Sequence, residues 1–169
     1  KVNYFILVAV PVLSQNGRRL LMFIHIESEP IFESYKKLID YAFKMSKAFL
    51  LHIPEDLRVA NSVNELLEVL KDHLIDIAPS YTFEHTEYGR RGEVYLYECN
   101  NHTGKIIRNK VTGLYDWLLP ELPEDLSFID ENDEVWFTSI SHERMGGMTT
   151  FNTEVIEELK EIVEIEVYR

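Results

Sequence analysis

Two kinds of apolar pattern alternate along this chain, and together they restrict the folds open to it. Over residues 31–43 the apolar side chains recur every three or four positions, which predicts an amphipathic helix that begins near Pro30. Residues 48–53 form a short apolar run that ends at Pro54, which predicts a buried strand. This mixture predicts an α+β fold, a mixed or mainly antiparallel sheet with about four helices packed on it.

A second apolar stripe predicts another helix over residues 63–77. Ser62 and Glu65 have the spacing of a capping box at its start, in which each side chain binds a free backbone amide of the first turn. Pro79 closes the stripe, because proline cannot continue a helix.

Turn residues divide the rest of the chain into shorter elements. Residues 81–85 and 93–98 have the composition of strands, and residues 126–129 and 134–140 predict a hairpin around the acidic turn 130–133. The remaining predicted elements are a short helix capped by Asn101 or Thr103, a final helix capped by Asn152 or Thr153, and an edge strand over residues 162–168.

The length of 169 residues fits one domain, and no linker or repeat divides it. We therefore predict a single α+β domain over residues 1–169. We expect residues 1–21 to be an accessory hairpin strand or an N-terminal extension of that domain. In the hairpin interpretation, residues 2–13 and 18–26 are strands that Asn16 and Gly17 connect. The apolar stretch at the start is shorter than the ~20 residues that a membrane-spanning helix needs, so we expect no membrane insertion.

The net charge of −12 lies entirely in the last third of the chain. Residues 1–110 contain 14 basic and 14 acidic side chains, whereas residues 111–169 contain 3 basic and 15 acidic ones. Nucleic-acid binding needs basic surface, and Arg18-Arg19 and Arg90-Arg91 supply only two small patches, so we expect no nucleic-acid partner. The single cysteine, Cys99, favours a reducing compartment, and we expect a cytoplasmic protein.

Carboxylates surround both tryptophans of the chain, between Lys110 and Arg144. The tryptophans are either interface anchors or core residues, and in both cases we expect the carboxylates to lie outside, because so many acids cannot be buried unpaired. Aromatic anchors with an acidic rim are typical of protein interfaces, because the rings supply buried area and the acids supply orientation and encounter rate. The leading hypothesis is a small acidic binding protein, of the immunity or antitoxin type, that docks a basic protein partner. Its predicted partner-binding residues are Asp116, Trp117, Glu124, Asp125, Asp130, Glu131, Asp133, Glu134, Trp136, His142 and Glu143.

The run Ser141-His142-Glu143 contains the residue types of a nucleophile system, but three consecutive residues cannot form one. Alternate side chains of a strand point to opposite faces, so the imidazole cannot reach the hydroxyl. The turn 130–133 lacks the spacing of a calcium loop. We therefore predict no catalytic residue, no metal site and no cofactor. The alternative hypothesis is a small-molecule-binding protein or enzyme with a pocket near His142 and Glu143, beside Asp116 and Trp117.

Three segments of the acidic region carry a family resemblance. Residues 113–117, 122–128 and 136–143 are similar to those of a group of uncharacterised bacterial proteins, some of which are labelled "stage III sporulation protein AH". The likeness extends from about residue 22 to residue 144. It implies that this stretch is one unit and that the first 21 residues extend it. It implies no activity and no catalytic residue.

Overall fold

The computed structural model describes residues 20–80 and 91–168. Strands and helices alternate through both ranges. The strands are β1 (Met22–Ile26), β2 (Ala48–Pro54), β3 (Leu74–Pro79), β4 (Gly92–Glu98), β5 (Glu124–Ile129), β6 (Val135–Ile140), β7 (Met145–Thr150) and β8 (Ile165–Tyr168). The helices are α1 (Glu33–Met45), α2 (Asn61–Leu70), α3 (Asn101–Lys110) and α4 (Thr153–Lys160).

The eight strands form one sheet in the order β3-β4-β2-β5-β6-β7-β1-β8. Every pair of neighbouring strands is antiparallel. The predicted α+β class, an antiparallel sheet with four helices, is thus confirmed for the described residues. The predicted hairpin of residues 126–129 and 134–140 is formed by β5 and β6, and the predicted edge strand is β8.

The sheet has two faces, because side chains alternate across each strand. On one face, Phe49 and Leu51 of β2 pack in the main core with Leu38 of α1, Leu66 of α2 and Ile107 of α3. The opposite face carries a second, smaller apolar core of Ala48, Leu50, Val94 and Ile129. The middle of the sheet is therefore buried on both faces, and any polar group there is removed from water.

The caps of α3 and α4 come from side chains close to those predicted. Asn100 caps α3, one residue before the predicted Asn101, and its side chain accepts hydrogen bonds from the amides of His102 and Thr103. The Thr103 hydroxyl accepts in turn from the Asn100 amide, which completes a capping box. Asn152 caps α4, as one of the two predicted alternatives, by accepting from the Glu154 amide.

Helix α1 begins at Glu33, later than the Pro30 position that its sequence suggests. The preceding backbone is held by residues 112–114: the Phe32 amide donates to the Thr112 carbonyl, and the Leu114 amide donates to the Pro30 carbonyl. Phe32 has a φ of 51°, in the region that favours glycine. The chain thus enters the helix through a strained residue that an adjacent segment holds in place.

The prediction of one long helix over residues 63–77 is wrong. Helix α2 ends at Leu70, a short 3₁₀ turn follows, and residues 74–79 form strand β3 against β4. The capping box is also absent: Ala60 is the N-cap, and the Ser62 hydroxyl donates to the Glu121 carbonyl instead. Pairing with β4 satisfies the backbone of residues 74–79, although their apolar side chains continue the helical spacing.

The predicted N-terminal hairpin lies mostly outside the described residues, and the predicted strand 81–85 lies wholly outside them. The described part of residues 18–26 forms strand β1, which pairs with β7 and β8. Among the described residues, no helix combines the length and apolar character needed to cross a bilayer.

Candidate functional site

Four of the eleven predicted partner-binding residues are buried in the folded chain. Trp117 has no exposed surface, Trp136 is 7% exposed, and Glu124 and Asp125 are each 3% exposed. The expectation that all the carboxylates around the tryptophans lie outside is therefore wrong for Glu124 and Asp125. The predicted residues that remain exposed or half-buried are Asp116, Asp130, Glu131, Asp133, Glu134, His142 and Glu143.

Both tryptophans belong to the main core rather than to a surface patch. The Trp117 indole donates to the Tyr35 hydroxyl at 3.2 Å, and that hydroxyl donates to the Ile107 carbonyl at 2.9 Å. The Trp136 indole donates to the Ser46 hydroxyl at 2.7 Å. With their polar atoms satisfied inside the protein, these rings stabilise the fold and do not present anchors to a partner.

The exposed carboxylates are divided between two ends of strand β6. The turn 130–134 precedes the strand, and Glu143 follows it. A strand of six residues spans about 20 Å. Asp116 belongs to the second group, because the 3₁₀ turn 114–116 contacts the 3₁₀ turn 141–143. The acidic residues of the predicted interface therefore do not form one continuous patch.

Burial of Glu124 and Asp125 places them beside His52, which is 1% exposed. His52 lies on β2 directly opposite Glu124 on β5. One ligand atom from each of the three side chains lies within 4.8 Å of the others. It is the one group of three or more histidine, cysteine or acidic side chains at this spacing in residues 20–80 and 91–168. We call this group the buried cluster.

A β-bulge assembles the buried cluster. Leu50 pairs with Ser127 and His52 pairs with Glu124, so two residues of β5 face the single residue Leu51 of β2. Asp125 is the first of these two residues, and its φ of 59° is the left-handed conformation found at the first position of a G1-type bulge. The extra residue turns Glu124 to the face of the sheet that carries Leu50 and His52, because directly opposite residues share a face.

Asp125 is held by its neighbours after β6. Its Oδ1 accepts a hydrogen bond of 2.9 Å from the Ser141 amide. Burial raises the pKa of Asp125 to about 6, and the Ser141 hydrogen bond partly opposes this rise. The charges of Glu124 and Glu143 raise the pKa further, whereas the nearby His142 lowers it. The pKa of Asp125 thus depends both on the buried Glu124 and on the exposed His142 and Glu143.

Ser141, His142 and Glu143 form a 3₁₀ turn that joins the buried cluster to the surface. The Ser141 hydroxyl is buried and has no hydrogen-bond partner among the described residues. His142 and Glu143 are exposed, and His142 Nε2 lies 3.8 Å from Glu143 Oε1. These three residues do not form a nucleophile system. They place one buried hydroxyl and two exposed ionisable groups next to Asp125.

Gly92, at the start of β4, packs directly against the His52 ring of the buried cluster. A Cβ atom at this position would lie 2.2 Å from the Ile53 carbonyl oxygen and 2.8 Å from His52 Nε2. Strand β4 can therefore approach β2 this closely only where the side chain is absent.

Sequence reasoning missed the association of His52 with Glu124 and Asp125. The signal available was the presence of three ionisable residues in or beside strands of otherwise apolar composition. Nothing in the sequence indicates which strands become neighbours, nor that Asp125 adopts a left-handed conformation. The predicted pocket residues His142 and Glu143 do lie beside this cluster, Asp116 belongs to a turn in contact with theirs, and Trp117 lies in the core.

The chain matches no known family model, no curated protein and no solved structure. The resemblance of residues 113–143 to the sporulation-labelled bacterial proteins thus stays a prediction.

Proposed function

We propose that this chain binds a small polar molecule at the end of the sheet where His142 and Glu143 lie, with the buried cluster beneath them. The observation that carries this proposal is the convergence of His52, Glu124 and Asp125, each at least 97% buried, from two adjacent strands. An ionised group costs several kcal/mol to bury unless it is well paired. Clusters of this kind, beside exposed ionisable groups, are typical of binding and catalytic sites.

The placement of the acidic residues supports this function better than the docking of a basic protein. The docking hypothesis depends on one acidic surface with aromatic anchors. Both tryptophans are in the core, and the exposed acids are separated by the length of β6. The groups near His142, by contrast, converge from β2, β5 and the turn 141–143.

One observation keeps protein docking as a second candidate. Glu131, Asp133 and Glu134 are all exposed in the turn 130–134, where Lys47 bridges Asp133 at 2.6 Å. A basic partner of an immunity-type protein would meet this turn first. Its binding would weaken strongly as salt rises, because exposed charges are screened beyond about 8–10 Å at physiological ionic strength.

Thermal unfolding against a panel of small polar molecules tests the first proposal. The panel contains nucleotides, sugars, amino acids and carboxylic acids. We expect at least one compound to raise the midpoint of the wild-type protein, and we expect Glu143→Gln and His142→Gln to reduce that shift. Glu131→Gln is the matched control, because it removes an exposed acid at the other end of β6 and should leave the shift unchanged.

Two results would contradict the proposal. One is a panel in which no compound stabilises the wild-type protein. The other is a shift of equal size in the wild type, Glu143→Gln and His142→Gln. A salt-sensitive complex with a basic protein that Glu131→Gln weakens, and that Glu143→Gln does not, would favour the docking function instead.

A further inference from the structure

We propose that His52, Glu124 and Asp125 bind one divalent transition-metal ion, of the Zn²⁺ class. This inference rests on the function proposed above, since it names a cofactor of the same site. The three donors are one imidazole nitrogen and two carboxylate oxygens, and they come from adjacent strands that fix their spacing.

The spacing of the donors suits a small metal ion. Zinc binds nitrogen and oxygen ligands at about 2.0–2.2 Å, so donors of a tetrahedral site lie about 3.3 Å apart. The three donor atoms of the buried cluster already lie within 4.8 Å of one another. Small rotations of the side chains, without a change in the strand register, would bring them to that distance.

The chemistry of the donors selects among metals. Imidazole with carboxylates suits Zn²⁺, Mn²⁺ and Fe²⁺, whereas Ca²⁺ prefers six to eight oxygen ligands and Mg²⁺ retains several waters. Catalytic zinc sites use three protein ligands and leave one position for water or a substrate. A three-donor cluster beside the exposed His142 and Glu143 has this composition.

A second observation points to a ligand at the same place. The Ser141 hydroxyl is 98% buried as part of its residue and has no hydrogen-bond partner among the described residues. The amide of the same residue binds Asp125 Oδ1. A buried polar atom left without a partner costs about 1–3 kcal/mol. A water or ligand atom on a metal held by Asp125 would give this hydroxyl a partner.

Charge balance favours the same conclusion. Two carboxylates lie side by side in the sheet, each 3% exposed. Lys47, Arg144 and Arg108 pair with Asp133, Glu29 and Asp40, and the structure assigns no ion pair with a lysine or arginine to either buried carboxylate within the described residues. A divalent cation would offset the charge of both side chains at once.

The test uses the complete chain, stripped of metal with EDTA and dialysed. Zn²⁺ is titrated by calorimetry, and Mn²⁺, Mg²⁺ and Ca²⁺ are titrated for comparison. We expect one Zn²⁺ per chain and weaker binding of Mg²⁺ and Ca²⁺. His52→Gln and Glu124→Gln should each lower the Zn²⁺ affinity by at least about tenfold. His102→Gln and Glu131→Gln are matched controls at exposed positions and should retain it.

The visible spectrum of bound Co²⁺ is a second readout, and a loss of stability in a variant that is still folded would not alter it. Co²⁺ absorbs visible light in a way that reports its ligands, so its spectrum in the wild-type protein should change in His52→Gln, while circular dichroism shows that the variant is folded. Absence of Zn²⁺ binding to the wild type, or wild-type affinity in folded His52→Gln and Glu124→Gln, would overturn the metal site.

The same samples separate this inference from the proposed function. If a small molecule stabilises the metal-free protein and Zn²⁺ does not bind, the metal site is wrong and the binding function stands. If Zn²⁺ binds with the expected dependence on His52 and Glu124 and no small molecule shifts the midpoint, the metal site stands and the binding function is wrong.

Discussion

His52 on β2 and Glu124 on β5 lie directly opposite each other, and both side chains are buried within the sheet. Without the bulge at Asp125, continuation of the Leu50–Ser127 register would place Asp125 opposite His52 and turn Glu124 toward the helices. The single left-handed residue Asp125 therefore determines which carboxylates meet the imidazole. Substitutions that straighten β5 should disperse the cluster even where every donor is retained.

We expect Asp125→Asn to flatten the dependence of stability on pH in metal-free protein. The pKa of Asp125 is raised from 3.8 to about 6 in the folded chain, so the folded state binds this proton more tightly than the unfolded state does. The carboxyl therefore favours folding fully below pH 4, and this contribution is lost as the pH rises through about 6. A shift of about two units corresponds to roughly 3 kcal/mol.

Urea unfolding of both proteins in EDTA, at intervals between pH 4 and pH 7.5, measures this difference. Asparagine tolerates the left-handed backbone, so the bulge is retained. His52, Glu124, His142 and Glu143 face the same carboxyl and are present in both proteins, so their direct contributions largely cancel in the comparison. Equal slopes in the wild type and the variant would show that Asp125 is not the group responsible.

Gly92→Ala should destabilise the protein, because the added Cβ would approach the Ile53 carbonyl to 2.2 Å and His52 Nε2 to 2.8 Å. Overpacking of this kind costs about 1–3 kcal/mol. Gly147→Ala is the matched control in another strand, where the nearest atom to the new Cβ is the Ile24 carbonyl oxygen at 3.5 Å. Denaturant midpoints of the two variants compare them, and similar losses would contradict the packing described at β4.

Tyr35→Phe should lower the free energy of unfolding by about 1–3 kcal/mol. The substitution leaves the Trp117 indole without its acceptor and the Ile107 carbonyl without this donor, in a part of the core with no exposed surface. Tyr168→Phe, which removes an exposed hydrogen bond to the Glu166 carboxylate at a tyrosine that is 43% exposed, should cost less, about 0–1 kcal/mol. A loss for Tyr35→Phe as small as that of Tyr168→Phe would argue against this buried network.

Phe32→Gly should stabilise the protein by about 1 kcal/mol. Phe32 has a φ of 51°, and its side chain is 65% exposed. Relief of such strain gains about 1–3 kcal/mol, and the greater freedom of glycine in the unfolded chain offsets about 0.5–1 kcal/mol of it. Phe151→Gly is the control, since Phe151 is 49% exposed and is not among the described residues with positive φ. Thermal unfolding that shows both variants destabilised alike would refute the strain.

Local signals in the sequence were sufficient for several elements. The apolar stripe of α1, the acidic turn between β5 and β6, and Asn152 before α4 each predict an element that the structure contains. These signals act over a few residues: spacing on one helix face, turn composition, and a side chain that caps the next turn. They are visible without knowledge of the partner segment.

The elements that were missed depend on distant partners. Leu74 and Ile77 continue the helical spacing of α2, yet they lie in β3 because β4 pairs with them. The buried cluster depends on the pairing of β2 with β5, which are separated by about half of the described chain, and on the backbone of Asp125. Periodicity carries no information on either, so the sequence indicated Glu124 and Asp125 as surface acids and did not indicate that they meet His52 in the core.

Strand β1 hydrogen-bonds with β7 and β8, the last two strands along the chain. During translation it leaves the ribosome before every other described element, and it cannot pair with either strand until residues 145–168 have emerged. Until then the nascent protein keeps Met22, Ile24 and Ile26 without the neighbours that bury them. Such late closure slows folding and gives chaperones time to act, and a message truncated before Met145 would yield a polypeptide with no place for its first described strand.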